Sequence, residues 1–221
     1  MVSTYVKGIA LGAVLLIASM AALWILDQQR TSILSKEIQD MTWEMEDSRL
    51  YLEYLGTLGD DSCSVMNARV VQQVGKSDEL AKKIDAYKNA NMFSEDYYAI
   101  KKTFVYKNFE LFLTFKSLKE DCGANVNQVI YFYAEDDPDQ SLCPDCGVQA
   151  GILNTLTNNC PNTWVFALPY NSYTDLVNVI RDQYNVTSGP AVIVNGDKVH
   201  YGLTELSTLE GEITCGTNPL E

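Results

Sequence analysis

The segment "SLCPDCGVQ", residues 141–149, places two of the chain's six cysteines three positions apart, at Cys143 and Cys146. A Cys-Pro-Asp-Cys sequence can be a redox-active dithiol, half of a metal site or an inert disulfide. A zinc site needs a second pair of ligands at metal spacing, but the other cysteines are isolated and His200 is the only histidine. We therefore expect no metal and no dissociable cofactor, which leaves a redox centre or an inert disulfide.

The sequence around this motif alternates between strand and helix patterns. Residues 127–134, "NQVIYFYA", are β-branched and aromatic, which is typical of a strand, and an acidic loop separates them from the cysteines. A helix is predicted from the cysteines through Leu156. Further strands are predicted over 163–169, 190–196 and 198–203, and helices over 172–185 and 204–213, the last capped by Thr204. The predicted order is β-α-β-α-β-β-α, with a tight hairpin at Asn195-Gly196-Asp197.

The position of the cysteines at the start of a helix gives them a chemical role. The unsatisfied N–H groups and the positive end of the helix dipole favour a thiolate at Cys143, which makes it a nucleophile. Pro144 suits the first helical turn, where its missing N–H costs nothing, and it presets the backbone so that Cys146 lies under Cys143. Cys146 can then resolve a mixed disulfide by intramolecular attack.

Over residues 125–215, under half of the chain, these features resemble the thioredoxin superfamily. The cysteine pair follows the first strand and opens a helix, and the element order matches the core of that family. Gly189-Pro190 stands before the hairpin, where that family keeps a cis proline. The resemblance implies an α/β thioredoxin-like fold, thiol–disulfide oxidoreductase activity on protein thiols or disulfides, and substrate binding at Gly189 and Pro190. The chain differs from thioredoxin itself in lacking a Trp before Cys143, in its long acidic loop and in its CPDC centre.

The resemblance also implies pairings for the remaining cysteines. In a thioredoxin-like fold the helix after the CxxC motif and the last helix both run away from the active end. Cys160 and Cys215 follow those helices, so we expect them to form a structural disulfide at the opposite end. Elimination then pairs Cys63 with Cys122, which closes a loop of roughly 60 residues and is worth about 4 kcal/mol in chain-entropy models.

The N-terminal segment, residues 8–26, contains no charged side chain. It would span about 28 Å as a helix, so we expect a transmembrane anchor over residues 1–30. A cleaved signal peptide with a small-residue site at Ser19 and Ala21 is the alternative. An export-type segment together with an even set of cysteines places the rest of the chain on the oxidising, extracytoplasmic side, and the glycosylation sequon Asn185-Val186-Thr187 agrees with this.

Residues 31–124 are predicted to be a helical region ahead of the thioredoxin-like domain at 125–221. Apolar residues at spacings of three and four over 34–55 indicate a helix, either a coiled-coil stalk or a helix that packs on its own domain. Further helix starts are predicted at Ser77 and Ser94, and Cys122-Gly123 ends the region.

The net charge of −13 excludes nucleic acid as an expected partner, because phosphate binding requires clustered basic side chains. Asp145 and the acidic loop oppose the helix dipole at Cys143, which predicts a reducing or isomerising centre. The sequence therefore predicts a membrane-anchored, extracytoplasmic thiol–disulfide oxidoreductase that acts on protein substrates and exchanges electrons with a redox partner of unknown identity. The alternative is a surface scaffold or assembly protein whose thioredoxin-like domain only binds partners.

Overall fold

The computed structural model describes residues 8, 11–22, 24, 43, 46–47, 50–51, 53–55, 57, 62–90, 95–135, 141–171 and 174–217. The chain divides into two compact units, residues 1–57 and 58–221. Most of the stripe predicted over 34–55 lies outside the described residues. The boundaries predicted at residues 30 and 124 stay predictions.

The prediction of a transmembrane helix from the sequence needs correction. Residues 11–22 form a continuous helix in the first unit. Across the described residues, no helix combines the length and the apolar character needed to cross a membrane. The predicted fold class was wrong in this respect.

In the second unit, two long helices, α1 (Ser62–Asn89) and α2 (Glu95–Cys122), lie side by side. The disulfide Cys63–Cys122 joins the start of α1 to the end of α2. Further inward on both helices, Gln73 Nε2 donates to Glu110 Oε1 at 2.6 Å. Because the first residues of α1 meet the last residues of α2, the two helices run antiparallel.

The helix start predicted at Ser77 is wrong, because Ser77 lies in the interior of α1. No proline interrupts α1, and the backbone remains helical on both sides of this buried serine. The cap predicted at Ser94 lies outside the described residues. The end predicted at Cys122-Gly123 is confirmed: α2 ends at Cys122, and Gly123 has a φ of 65°, the left-handed conformation that commonly terminates helices.

Four strands form one mixed sheet in the order β2-β1-β3-β4. They are β1 (Asn127–Tyr133), β2 (Thr163–Pro169), β3 (Ala191–Val194) and β4 (Lys198–Tyr201). Strands β1 and β2 are parallel, while β3 pairs antiparallel with both β1 and β4. The β3–β4 turn has positive φ angles at Asn195 (52°) and Gly196 (80°), so the predicted tight hairpin is confirmed.

Three shorter helices connect these strands: α3 (Cys146–Asn159), α4 (Asp175–Gln183) and α5 (Leu206–Glu210). The observed order β-α-β-α-β-β-α is the order predicted from the sequence. The predicted cap of the last helix is wrong by one residue, because the N-cap of α5 is Glu205. The Thr204 backbone N–H instead donates a hydrogen bond to Gln149 Oε1 at 2.7 Å.

Helices cover both faces of the sheet. Successive side chains of β1 point to opposite sides, so this strand contributes to the core on each face. One face packs against α2 and α4 through the buried residues Val105, Ile130, Phe132, Leu168, Val177, Ile180, Val186, Ala191 and Ile193. The other face packs against α3 and α5 through Val129, Tyr131, Leu153, Leu156, Val192, Val194 and Leu209. Helix α2 therefore shares a core with the sheet, and the Phe115 and Trp164 rings, 4.5 Å apart between centroids, extend this contact to β2.

The strand register defines two ends of the sheet. Ala191 pairs with Phe132, which places the preceding Gly189–Pro190 bond at the carboxyl end of β1. At the amino end of β1 and β2, Asn127 pairs with Thr163. There, the Asn127 side chain donates to the carbonyl of Thr214 at 3.0 Å, so the C-terminal segment lies at the end away from Gly189.

Candidate functional site

Cys143 and Cys146 form a disulfide at the start of α3. A turn brings them together: the Cys146 N–H donates to the Cys143 carbonyl at 3.2 Å, and the two Cα atoms are 5.4 Å apart. Helix α3 begins at Cys146 with Asp145 as its N-cap, and the Asp145 side chain makes no capping hydrogen bond. Cys143 therefore lies just ahead of the first helical residue, at the end where backbone N–H groups are unsatisfied.

The Gly189–Pro190 peptide bond is cis and lies against this disulfide. A Cβ atom on Gly189 would lie 3.1 Å from Cys143 Sγ, 3.2 Å from Cys146 Sγ and 3.1 Å from Cε1 of Tyr170. These distances are shorter than ordinary van der Waals contacts, so the close approach of backbone and sulfurs depends on a glycine at this position. The structure thus brings together Cys143, Cys146, Gly189 and Pro190, the residues predicted to form the site.

The backbone beside the disulfide has open hydrogen-bonding groups. The Pro190 carbonyl accepts from the Gly202 N–H at 2.8 Å and is therefore occupied. Among the described residues, no hydrogen bond engages the backbone of Ser188 or Gly189. An extended polypeptide can pair with these groups next to the sulfurs, as strands do when they add to an open backbone edge.

The two cysteine residues differ in exposure. The role predicted for Cys143 requires that an incoming thiol reach it, but Cys143 is only 1% exposed. Cys146 is partly exposed. Direct attack on Cys143 therefore requires that a covering group move first.

Two hydrogen bonds fix the first turn of α3. The Tyr131 hydroxyl donates to the Cys146 carbonyl at 2.6 Å, and burial raises the pKa of Tyr131 to about 12, so this hydroxyl stays a donor at neutral pH. Gln149, fully buried, accepts from the Thr204 N–H. Sequence reasoning missed both residues. A polar Gln149 at a core position of α3, three residues after Cys146, was the one available signal.

The acidic surroundings predicted for Cys143 are partly compensated. Lys101 Nζ lies 2.6 Å from Glu135 Oε1, so this loop carboxylate has a partner. Asp145 is exposed to solvent. Residues 136–140, which contain the other loop acids, lie outside the described residues. The charge that opposes a thiolate at Cys143 is therefore smaller than a count of the loop acids indicates.

His200 lies in β4 and contacts Glu212. Its Nε2 lies 2.8 Å from Glu212 Oε2, and Lys198 Nζ lies 3.2 Å from Glu212 Oε1. Burial by itself raises the pKa of Glu212, but the hydrogen bonds from His200 and Lys198 outweigh it and leave the pKa below its ordinary value. This cluster ties β4 to the segment after α5, and its geometry is that of a structural contact.

The other two disulfides are Cys63–Cys122 and Cys160–Cys215, with Cα separations of 5.7 and 4.8 Å. These are the pairs expected from the resemblance and by elimination. Cys160–Cys215 lies at the amino end of β1 and β2, because the neighbouring Asn162 side chain donates to the Thr214 carbonyl at 2.9 Å. Within the described part of the chain, no cluster of His, Cys, Asp and Glu side chains could hold a metal ion.

A cleft of about 570 Å³ adjoins the site. Tyr170 belongs to both, because its ring edge faces Gly189 and also lines the cleft. The cleft is formed by the segments that follow β2 and α4, and the residues that line it are Tyr170, Asn171, Arg181, Asp182, Asn185, Val186 and Thr187. Sequence reasoning did not find it, because its lining comes from separate segments and carries no motif of its own.

A scan against protein-family models finds no match for this chain, and a search of curated proteins finds no significant similarity. The functional argument therefore depends on the geometry of the site.

Proposed function

We propose that this protein is a thiol–disulfide oxidoreductase of the thioredoxin-like type that acts on protein thiols and disulfides. The observation that carries the proposal is the Cys143–Cys146 disulfide at the start of α3, held against the cis Gly189–Pro190 bond with open backbone groups beside it. A disulfide that only strengthens the fold has no need of a backbone edge within contact distance of its sulfurs. A substrate cysteine that must align with the two sulfurs does need such an edge, because the edge can hold the substrate chain in position.

The reaction exchanges one disulfide for another. In the reduced protein, the Cys143 thiolate attacks one sulfur of a substrate disulfide, and the other substrate sulfur leaves as a thiolate. Cys146, deprotonated in turn, attacks Cys143 Sγ and releases the first substrate sulfur as a second thiolate. The protein is thereby oxidised to the Cys143–Cys146 disulfide and the substrate is reduced to two thiols. The reverse sequence oxidises a substrate dithiol, and no dissociable cofactor takes part.

Three disulfides within one chain indicate an oxidising, extracytoplasmic location. In such a location a second redox protein must restore the starting state of the Cys143–Cys146 pair after each turnover. The exposed Asp145 at the N-cap of α3 disfavours the thiolate, which supports a centre toward the reducing or isomerising end.

A scaffold function is the second candidate, and the burial of Cys143 favours it. In a scaffold the Cys143–Cys146 disulfide never turns over, and the domain binds partners without exchanging electrons with them. The two candidates differ in whether Cys143 ever becomes covalently bound to another protein.

A trapping experiment separates them. In a Cys146→Ala variant the resolving thiol is absent, so each attack by Cys143 stops at the mixed disulfide. The variant is incubated with a model protein whose disulfides have been reduced and then reoxidised. It is expected to form a mixed-disulfide adduct with this protein, which dithiothreitol removes. The matched control is the Cys143→Ala, Cys146→Ala double variant, which is expected to give none. If the single variant, shown to be folded and to carry a free Cys143 thiol, also gives no adduct, the scaffold function replaces the oxidoreductase.

A further inference from the structure

The Tyr170 side chain is placed to control access to Cys143. Its Cε1 atom and both sulfurs converge on the same point beside Gly189, each 3.1 to 3.2 Å from where a Cβ would stand. Its hydroxyl reaches across to the carbonyl of Leu142, the residue before Cys143. The ring therefore reaches from the end of β2 to the chain that enters the disulfide. Cys143, beside it, is 1% exposed.

The backbone of Tyr170 is held more firmly than its ring. Its N–H donates to the Tyr133 carbonyl at 2.9 Å, and its carbonyl accepts from Arg181 Nη1 at 3.2 Å. The hydroxyl contact to Leu142 is 3.4 Å long, beyond the usual range of O–H···O hydrogen bonds, so it contributes little. The side chain can thus rotate about a fixed backbone.

The cleft gives both the ring and a substrate a place to go. Its volume of about 570 Å³ is within the range of ligand pockets and exceeds that of a single side chain. Its one cation, Arg181, is paired with Asp182 at 3.0 Å, so the lining has no net charge. Among the described residues, the side chains of Asn185 and Thr187 make no hydrogen bond, so they can receive the polar backbone of an uncharged segment.

We propose that Tyr170 is a gate and the specificity-determining residue of this centre: its ring shields Cys143 from small thiols, and an extended, uncharged polypeptide segment entering the adjoining cleft displaces it. This inference rests on the proposed function and adds to it the class of substrate that gains access. Tyr170 acts by covering and uncovering Cys143 and takes no part in bond exchange.

The gated step is attack on the oxidised protein. The thiolate of an incoming thiol forms a bond to Cys143 Sγ while the Cys143–Cys146 bond breaks and Cys146 leaves as a thiolate. With dithiothreitol as the probe, its second thiol then attacks the mixed disulfide. The products are cyclic oxidised dithiothreitol and the Cys143, Cys146 dithiol, so two electrons pass from the probe to the protein.

The test measures the rate of this reduction by dithiothreitol in the full chain. A Tyr170→Ala variant is expected to react about tenfold faster than the parent, which corresponds to a cost of about 1.4 kcal/mol for moving the ring aside in the parent. Its equilibrium with glutathione is expected to stay unchanged, because uncovering a sulfur alters access and leaves both redox states as they are. A residue with only a structural role would not separate the rate from the equilibrium.

A second variant serves if Tyr170→Ala does not fold. Tyr170→Phe keeps the ring and removes only the hydroxyl contact to Leu142, so a smaller acceleration is expected. Tyr184→Phe is its matched control, because the Tyr184 hydroxyl donates to the Gly196 carbonyl at 3.2 Å in the β3–β4 hairpin, away from the disulfide. Tyr184→Phe is expected to react like the parent.

The gate is disproved if Tyr170→Ala and Tyr170→Phe are both reduced at the parental rate, which would mean that thiols enter through the partly exposed Cys146. It is equally disproved if rate and glutathione equilibrium change in parallel. Failure of the proposed function has a different signature, namely absence of a mixed disulfide in the Cys146→Ala trap whatever the reduction rates.

Discussion

Gly189 occupies a crowded position in the site. A Cβ at this position would lie 3.1 to 3.2 Å from both sulfurs and from Cε1 of Tyr170, so a side chain there would have to displace one of them. The sulfurs are bonded to each other in the oxidised protein and cannot separate. In the reduced protein they are independent, so a side chain at this position is tolerated better. How well a side chain at residue 189 is tolerated therefore depends on whether the disulfide is oxidised or reduced.

A Gly189→Ala substitution is expected to favour the dithiol over the disulfide and so to raise the reduction potential. A difference of about 1.4 kcal/mol between the two states would appear as about 30 mV in a glutathione titration. Gly147→Ala is the matched control, because a Cβ on Gly147 meets nothing within 4 Å, and it is expected to leave the potential unchanged. Equal potentials for both variants and the parent would show that the chain beside the sulfurs adjusts freely.

At the scale of the elements, β4 is joined to the segment after α5 by the Glu212 cluster. A carboxyl whose pKa is lowered in the folded protein stabilises the fold above its ordinary pKa of 4.5, and this contribution is lost as the pH falls through the lowered value. The Glu212 side chain is 13% exposed and that of Lys198 61%, so solvent screens part of the cluster, and its contribution to the free energy of unfolding is about 1 kcal/mol.

A Glu212→Gln variant is accordingly expected to unfold at lower urea concentration than the parent at neutral pH. The gap should close as the pH falls below 4.5, because the parent then loses the same charge. Glu79→Gln is a control at an exposed carboxylate 3.8 Å from Lys83, and a smaller effect is expected there. A gap that stays constant down to acid pH would mean that Glu212 stabilises the fold through packing alone.

The elements also show what could be predicted from the sequence. Strand β1 and the Asn195-Gly196 hairpin were predictable because β-branched and aromatic residues and residues that favour positive φ act locally. The start of α1 could not be predicted, since Ser77 has the chemistry of a cap but lies within a continuous helix. The cysteine motif was visible, whereas Tyr170 and Gln149 were not. Their partners lie 28 and 55 residues away in the sequence, so only the fold brings them together.

Across the whole molecule, the three disulfides occupy separate places. Cys63–Cys122 closes the α1–α2 pair, and Cys160–Cys215 fastens the C-terminal segment at the amino end of β1 and β2. Cys143–Cys146 alone lies beside the cis Gly189–Pro190 bond and the cleft. This distribution assigns stability to the first two disulfides and reactivity to the third.

Replacing Cys160 and Cys215 by Ser is expected to lower the unfolding temperature, because chain-entropy models value a closed loop of 55 residues at about 4 kcal/mol. Side-chain bonds from Asn127 and Asn162 to the Thr214 carbonyl remain and should keep the variant folded at room temperature. Its Cys143–Cys146 equilibrium with glutathione is expected to match that of the parent. A shifted equilibrium would show that the two ends of the sheet are coupled.

The most direct test of the central claim is the order in which the three disulfides are reduced. The full protein is equilibrated in a series of glutathione buffers, its thiols are labelled, and mass spectrometry measures each cysteine separately. We expect Cys143 and Cys146 to become reduced at mild potentials while Cys63–Cys122 and Cys160–Cys215 stay oxidised, since structural disulfides resist the glutathione pool. Reduction of Cys143–Cys146 together with the other two, or after them, would contradict the account and identify the CPDC pair as an inert disulfide.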